Sequence, residues 1–230
     1  MTDAEFDSYA SAYDDALTKG IAVSGEDKTY FAEHRLRWLA RSLRERGCRP
    51  KRVLDFGCGT GTATPFFFKI LEVESFVGLD VSEKSLAIAR ATHGSPQVRF
   101  ESCEHYCGVA EFDLAFCNGV FHHLPLDERP TALRQIHESL RPGGLFALCE
   151  NNPLNPGTRY VMSRIPFDRD AIVVPASEAR RIVKAAGFEV LRIDFLFIFP
   201  ALLKWFRRLE PALSAFPLGA QYQLLAGKPP

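Results

Sequence analysis

The segment VLDFGCGTG, residues 53–61, places three glycines between a short apolar run and a helical pattern. Such a strand, loop and helix let the backbone approach a nucleotide-like ligand at the carboxyl end of the strand. The dinucleotide fingerprint needs its third glycine or alanine five residues after Gly57, where this chain has Thr62. Gly61 comes one residue early, so an oxidoreductase with a nicotinamide cofactor is the weaker alternative.

Two carboxylates indicate the charge of the ligand. Asp55 lies in the predicted strand two residues before Gly57, where it would repel a pyrophosphate and attract an ammonium group. Asp80 ends the next predicted strand, where an acidic side chain can accept hydrogen bonds from both ribose hydroxyls, although it could instead cap the helix that begins near Ser82. Together the two carboxylates predict an adenosine that carries a positive group.

The motifs VLDFGCGTG, GLDVS at the second strand and LRPGG before the fifth, in this order, resemble those of the class I S-adenosylmethionine-dependent methyltransferases of the small-molecule type. The resemblance implies a doubly wound, mostly parallel α/β sheet of seven strands with a reversed final hairpin. It also implies S-adenosylmethionine as cofactor, with Asp80 at the ribose, Val81 beside adenine and Cys103 or Glu104 near the adenine amine. The remaining cofactor-binding candidates are Asp55, Gly57, Cys58, Gly59, Gly61, Asn118 and, in the N-terminal segment, Tyr13.

Histidines near the same predicted sheet edge are candidates for proton transfer. His123 follows the fourth strand and is the first candidate general base for a hydroxyl acceptor, because an imidazole titrates near neutral pH. His34 and Glu150 are the next candidates, and His122 is expected to pack. A purely structural role of His123 in tying down its loop is the alternative.

Helical and strand patterns alternate from residue 27 to about residue 190, which is typical of βαβ units. We expect a helical cap at residues 1–50 and the methyltransferase domain at residues 51–230, within one structural domain. Four prolines and a glycine between Asn151 and Pro175 predict a long lid or binding loop. The predicted strands are 52–56, 75–80, 98–103, 112–118, 145–150, 189–199 and 220–226, and the predicted helices are 27–46, 62–71, 82–92, 127–140, 177–186 and 202–213.

Composition narrows the range of partners. The chain has 28 Lys and Arg against 28 Asp and Glu, so no broad positive field attracts nucleic acid. The apolar run from Phe195 to Leu203 is much shorter than the roughly 20 residues of a membrane span. It predicts a core strand with a covering helix; a lipid pocket, a membrane-surface contact and a dimer face stay open. The N-terminus lacks a signal-peptide pattern, so we expect a cytoplasmic protein whose cysteines are thiols. No second ligand pair follows Cys103, His105 and Cys107 at a zinc-finger spacing, so we expect no bound metal. We expect a monomer or a homodimer.

These observations predict transfer of a methyl group to an oxygen or nitrogen of a small organic acceptor. Asn118 is followed by Gly119 rather than by the two prolines usual in methyltransferases that act on exocyclic amines of nucleic acids. The alternatives are a nucleic-acid or protein methyltransferase and a noncatalytic protein that binds S-adenosylmethionine.

Overall fold

The computed structural model describes residues 20–165 and 171–230. Within these residues seven strands form one sheet in the order β3-β2-β1-β4-β5-β7-β6. The first five strands of that order are parallel, and β7 runs antiparallel to both β5 and β6. The predicted doubly wound α/β sheet with a reversed final hairpin is confirmed. The strands are β1 Arg52–Phe56, β2 Ser75–Asp80, β3 Val98–Ser102, β4 Phe112–Asn118, β5 Leu140–Asn151, β6 Glu189–Leu196 and β7 Gln221–Gly227.

Helices cover both faces of the sheet. They are α1 Lys28–Glu45, α2 Thr64–Phe66, α3 Glu83–His93, α4 Arg129–Ser139, α5 Pro156–Arg164, α6 Ala176–Ala185 and α7 Glu210–Leu213. A π-helical turn, Phe67–Leu71, continues α2, and 3₁₀ helices cover Ala22–Ser24 and Ala201–Leu209.

Each face of the sheet has its own apolar core. Leu36, Leu39 and Leu43 of α1 are buried with Val53 of β1 and Phe76 of β2 on one face. Burial of each leucine contributes roughly 1.5–3 kcal/mol to folding. The other core packs Leu133 and Ile136 of α4 and Val183 of α6 against Leu54 of β1 and Leu224 of β7. Helix α1, within the predicted N-terminal cap, is thus packed into the same core as the strands.

The predicted connection between Asn151 and Pro175 contains α5, which the sequence pattern did not reveal. The Asn155 side chain caps this helix by accepting a hydrogen bond from the Thr158 amide at 3.0 Å, and Pro156 occupies its first turn. Proline is favourable there because the first-turn amides have no helical acceptor. The prolines that suggested a loop therefore include one that begins a helix.

Strand β5 begins at Leu140, five residues earlier than expected. The amide of Gly143 donates to the carbonyl of Lys228, and the Lys228 amide donates to Gly144, so the glycine turn is joined to the chain after β7. The predicted helix at residues 202–213 is mostly 3₁₀. Strand connections diverge between β1 and β4, the place where doubly wound sheets open a ligand crevice at the carboxyl edge.

Candidate active site

The loop after β1 is fastened to the end of β2 by backbone hydrogen bonds. The amides of Gly57 and Cys58 both donate to the carbonyl of Leu79, at 2.7 and 2.9 Å. Gly57 has a φ of +77°, and a Cβ here would lie 2.2 Å from a methyl group of Val120. Only glycine meets both constraints, so this position holds the loop tightly against the segment after β4.

Gly59 has different surroundings. Its amide donates to Asp80 Oδ2 at 2.7 Å, and its φ is +53°. A Cβ added here would meet no heavy atom within 4 Å. The bare backbone of Gly59 therefore borders open space, as a loop on which a ligand packs requires.

A cavity of about 460 Å³ lies at the carboxyl edge of β1, β4 and β5. This volume falls in the range of pockets that bind small molecules. Asp55, Gly57, Gly59 and Asn118 line it and are here called the polar floor. The Asn118 side-chain oxygen is buried and has no hydrogen-bond partner among the residues that the structure describes. A buried acceptor of this kind indicates that a ligand supplies the donor.

Asp55 is almost completely buried in the polar floor. Burial, with a smaller contribution from Asp80, raises the pKa of Asp55 to about 8, although Arg35 acts in the opposite direction. The carboxyl group is therefore mostly protonated at neutral pH. Its ionised form at this depth needs a cation beside it, so the floor favours a ligand with positive charge.

Another part of the cavity, here called the apolar wall, comes from two segments. Val161 and Met162 project from α5, and Phe197, Ile198 and Phe199 follow β6. The combination of a polar floor and an apolar wall can hold a charged nucleoside and an organic molecule side by side.

Residues 54–146 match the family model described as a methyltransferase domain. The O-methyltransferase cnsE of Penicillium expansum is 29% identical over 62% of this chain and 54% of its own length. The trans-aconitate 2-methyltransferase of Methylobacterium nodulans is 32% identical over 65% of this chain and 59% of its own length. The chain thus spans just over half the length of these two relatives.

Among solved structures, an S-adenosylmethionine-dependent methyltransferase from Archaeoglobus fulgidus superposes with a TM-score of 0.60 at 18% identity. The match covers 88% of this chain and all of the other, so the fold is shared. Residues 54–146 thus form a methyltransferase domain, and the chain has the fold of the class I S-adenosylmethionine-dependent methyltransferases.

S-adenosylmethionine is the cofactor that a methyltransferase domain of this class uses. The polar floor fits it on two independent observations. Gly59 leaves open space against its backbone, and the buried Asn118 oxygen lacks a donor. Asp55 adds a carboxyl group that a sulfonium or ammonium would hold in its ionised form.

A histidine and a glutamate form a buried pair in the methyltransferase. His122 Nδ1 lies 2.5 Å from Glu150 Oε2, and both side chains are almost fully buried. The other carboxylate oxygen of Glu150 accepts a hydrogen bond from the Phe121 amide at 2.7 Å. Glu150 therefore fixes the orientation of the His122 ring, whose Nε2 lies on the side of the ring away from Nδ1.

The predicted proton-transfer residues occupy different positions around the cavity. His123 lines it, as does His122, which was expected only to pack. Glu150 does not line the cavity, because its carboxylate is engaged by His122 and the Phe121 amide. His34 does not line it either: its ring stacks on Tyr30, with centroids 3.8 Å apart.

Several predicted cofactor residues lie at the ends of β2 and β3, outside the cavity lining. The Asp80 carboxylate accepts hydrogen bonds from the amides of Gly59 and Ser82, so it holds both the glycine loop and the residue that precedes α3, whereas the cap of that helix is Ser82. The Cys103 amide donates to the Asp80 carbonyl at 3.1 Å, which places Cys103 beside Asp80. Val81 and Glu104 are exposed, and Gly61 lies close to His93 and Phe100. Of the two other predicted residues, Cys58 lines the cavity, whereas Tyr13 lies outside the residues that the structure describes.

Helix α1 contributes a stripe of cavity residues that the sequence reasoning missed. Lys28, Phe31, Ala32 and Arg35 all line the cavity, and their spacing of three and four residues places them on one helix face. Arg35 Nε donates to Gln221 Oε1 at 2.8 Å. The sequence signal that could have revealed these residues is that Lys28 and Arg35 share a helix face with the apolar Phe31 and Ala32.

Neither a metal cluster nor a membrane span is found in the described part of the chain. Across residues 20–165 and 171–230, no group of three or more His, Cys, Asp or Glu side chains is placed to hold a metal ion. No helix in these ranges is long and apolar enough to cross a bilayer.

Proposed function

We propose that this methyltransferase moves the methyl group of S-adenosylmethionine to an oxygen or nitrogen of a small organic acceptor that packs on the apolar wall. The observation that carries the proposal is the buried His122–Glu150 pair, because His122 lines the same cavity as the glycine loop. When bound, the cofactor supplies a methyl group on a positively charged sulfur, which is already a strong electrophile. The protein then needs mainly to position two molecules and remove a proton.

The cofactor assignment divides between two groups of residues. Asp55, Gly57, Cys58, Gly59 and Asn118 hold the charged end, since all five line the cavity. We assign the adenosine to Asp80 and its neighbours Val81, Cys103 and Glu104, with Gly61 shaping the loop. The amides of Gly59 and Ser82 hold the Asp80 carboxylate beside the glycine loop at the end of β2, where an acidic side chain can bind ribose hydroxyls.

Proton removal falls to His122 rather than to His123. Glu150 accepts the hydrogen bond of Nδ1–H, which leaves the Nε2 lone pair as the basic position and stabilises the imidazolium once the acceptor proton has moved to it. His123 lines the cavity too, with its ring centroid 4.1 Å from that of His122, and it is the alternative base. Glu150 is thus a positioning residue, and His122 is the group that contacts the acceptor.

Three variants test these roles. His122→Gln should lower kcat about 10²-fold or more, as expected when a general base is lost, with an unchanged Kd for S-adenosylhomocysteine. Glu150→Gln should lower kcat and shift the acid limb of the pH profile, because the imidazolium loses its carboxylate. The matched control is His105→Gln, an exposed histidine outside the cavity lining.

The substitution His123→Gln distinguishes the two neighbouring histidines. If His123→Gln lowers kcat and abolishes its pH dependence, while His122→Gln changes neither, then His123 is the general base. A screen of hydroxyl, carboxyl and amine acceptors with labelled cofactor tests the activity itself. Cofactor binding without transfer to any of them would support the alternative of a noncatalytic binding protein.

A further inference from the structure

The chain carries a band of exposed apolar side chains that its core does not use. Leu202 is 88% exposed and Trp205 is 78% exposed, and no residue of the 3₁₀ helix Ala201–Leu209 is buried. Phe206, Phe216 and Leu218 are also exposed. These five residues are here called the apolar rim. Three of them lie on the 3₁₀ helix, and the segment of the other two is joined to the chain before that helix, because the Ala220 amide donates to the Phe197 carbonyl at 3.2 Å. Exposed apolar side chains on neighbouring segments mark an interaction surface.

The apolar rim adjoins the mouth of the cavity. Phe199 and Pro200 line the cavity immediately before the 3₁₀ helix begins, and Arg207 lines it from within that helix. Ala220, two residues after Leu218, lines it from the second segment of the rim. A molecule that enters along the rim therefore reaches the apolar wall through apolar surroundings.

The charges near the rim select among possible partners. Lys204 and Arg208 are exposed on the 3₁₀ helix, whereas Arg207 is paired with Glu26 at 2.8 Å. Glu210 points inward and accepts hydrogen bonds from the amides of Ile198 and Phe199, both at 3.0 Å. The exposed charges of this helix are therefore positive.

A second copy of the chain is a poor partner for this surface. In a two-fold symmetric dimer both sides of the interface are this same patch, so Lys204 and Arg208 of both copies would lie in one interface to which the 3₁₀ helix contributes no exposed acidic side chain. Anionic lipid headgroups instead attract these cations, while tryptophan, phenylalanine and leucine enter the boundary between headgroups and acyl chains.

We propose that the apolar rim binds the surface of an anionic lipid bilayer and that the cavity takes a lipophilic acceptor from it. The second half of this statement rests on the proposed methyl transfer, whereas the first half does not. Leu202 and Trp205 insert, Lys204 and Arg208 contact headgroups, and the acceptor passes over Phe199 to the apolar wall.

Vesicle binding by the full chain tests the surface without any need for turnover. Vesicles of phosphatidylcholine with 30% phosphatidylglycerol should bind the protein at about 0.1 M salt, and pure phosphatidylcholine should bind it at least ~10-fold more weakly. The double variant Leu202→Ser with Trp205→Ser should lose at least ~10-fold in partitioning. Lys204→Glu with Arg208→Glu should weaken binding and remove its salt dependence.

The matched control is Val109→Ser. Val109 is also strongly exposed, but its neighbour Ala110 is hydrogen-bonded to the end of α4, outside the cavity lining. This variant should bind vesicles like the unaltered chain. Stabilisation by S-adenosylhomocysteine checks that each variant is folded with an intact cofactor site.

Tryptophan fluorescence adds a direct readout. The chain has two tryptophans, and Trp38 donates to Asp194 at 3.1 Å within the protein. In a Trp38→Phe background, emission from Trp205 should shift to shorter wavelength on anionic vesicles.

Three outcomes would overturn the proposal. They are absence of vesicle binding by the unaltered chain, equal binding by the Leu202→Ser, Trp205→Ser variant, and a dimer in light scattering that this variant abolishes. Loss of methyl transfer with normal vesicle binding would count against the proposed function alone.

Discussion

Replacement of Asp55 with asparagine tests the charge of the polar floor, because it removes the ionisable group and nearly preserves its shape. With a pKa of about 8, about nine in ten ligand-free molecules carry the Asp55 proton at pH 7. A sulfonium or ammonium placed beside the carboxyl group favours its ionised form. Binding of S-adenosylmethionine at pH 7 should therefore release close to one proton.

Isothermal titration calorimetry at pH 7 in buffers of different ionisation enthalpy measures that proton. The observed enthalpy should vary with buffer ionisation enthalpy with a slope near one for the natural sequence and near zero for Asp55→Asn. Affinity should rise by roughly tenfold per pH unit from pH 6 to about pH 7.5, and the asparagine variant should bind more weakly without this pH dependence. Equal slopes in the two proteins would refute the assignment of the cation to Asp55.

The same group makes the folded state less stable as pH rises. Asp55 has an ordinary pKa of 3.8 in the unfolded chain and about 8 in the folded one, so between these values the folded state keeps a proton that the unfolded state has lost. The contribution of this proton to the free energy of unfolding is fully present below about pH 4. It is lost as the pH rises towards 8, and the loss is on the order of 5 kcal/mol. Chemical denaturation should show that the free energy of unfolding of Asp55→Asn increases relative to that of the natural sequence as the pH rises across this range. A difference that stays constant from pH 5 to pH 8 would contradict the buried, protonated carboxyl.

Two further predictions concern the loop, each with a control that separates folding from binding. Gly59→Ala and Gly47→Ala both place a side chain at positive φ with no heavy atom within 4 Å. Each variant should therefore lose about 1 kcal/mol of stability. Only Gly59→Ala should weaken S-adenosylhomocysteine binding in calorimetry. Asp80→Ala removes the acceptor for two backbone amides and should lower the free energy of unfolding by about 2 kcal/mol and weaken cofactor binding at least ~10-fold. Asp113→Ala also removes an acceptor for two amides, yet it lies at the start of β4 and should leave binding unchanged. Parallel binding losses in the controls would show that stability alone explains the effects.

Local signals in the sequence were sufficient for much of the fold. The strands β1, β2 and β4 have the predicted bounds, because each is a short apolar run closed by glycine or polar residues. Ser82 caps α3 as expected, accepting a hydrogen bond from the Ser85 amide at 3.2 Å. Capping and strand patterns depend on neighbouring residues only, so a single sequence reveals them.

The His122–Glu150 pair could not be predicted in this way. Its two members are 28 residues apart and meet because β4 and β5 are adjacent strands. The strand pattern predicts that His122 and Glu150 both lie at the carboxyl edge of the sheet. Which histidine ring turns towards Glu150 depends on the turn after β4, where Gly119 has a φ of +70°. Likewise, Arg35 reaches the cavity only through the direction in which α1 packs on the sheet.

The position of β7 affects how the chain can fold during synthesis. This strand is made after β6 but lies between β5 and β6, with Tyr222 paired to Glu150. Until residues 221–227 have left the ribosome, one edge of β5 has no strand partner, and its apolar run Leu145–Cys149 remains open to pairing with other chains. The strand that carries Glu150 is therefore covered only after β6 has been made, and conditions that delay the emergence of residues 221–227 should expose the nascent protein to aggregation.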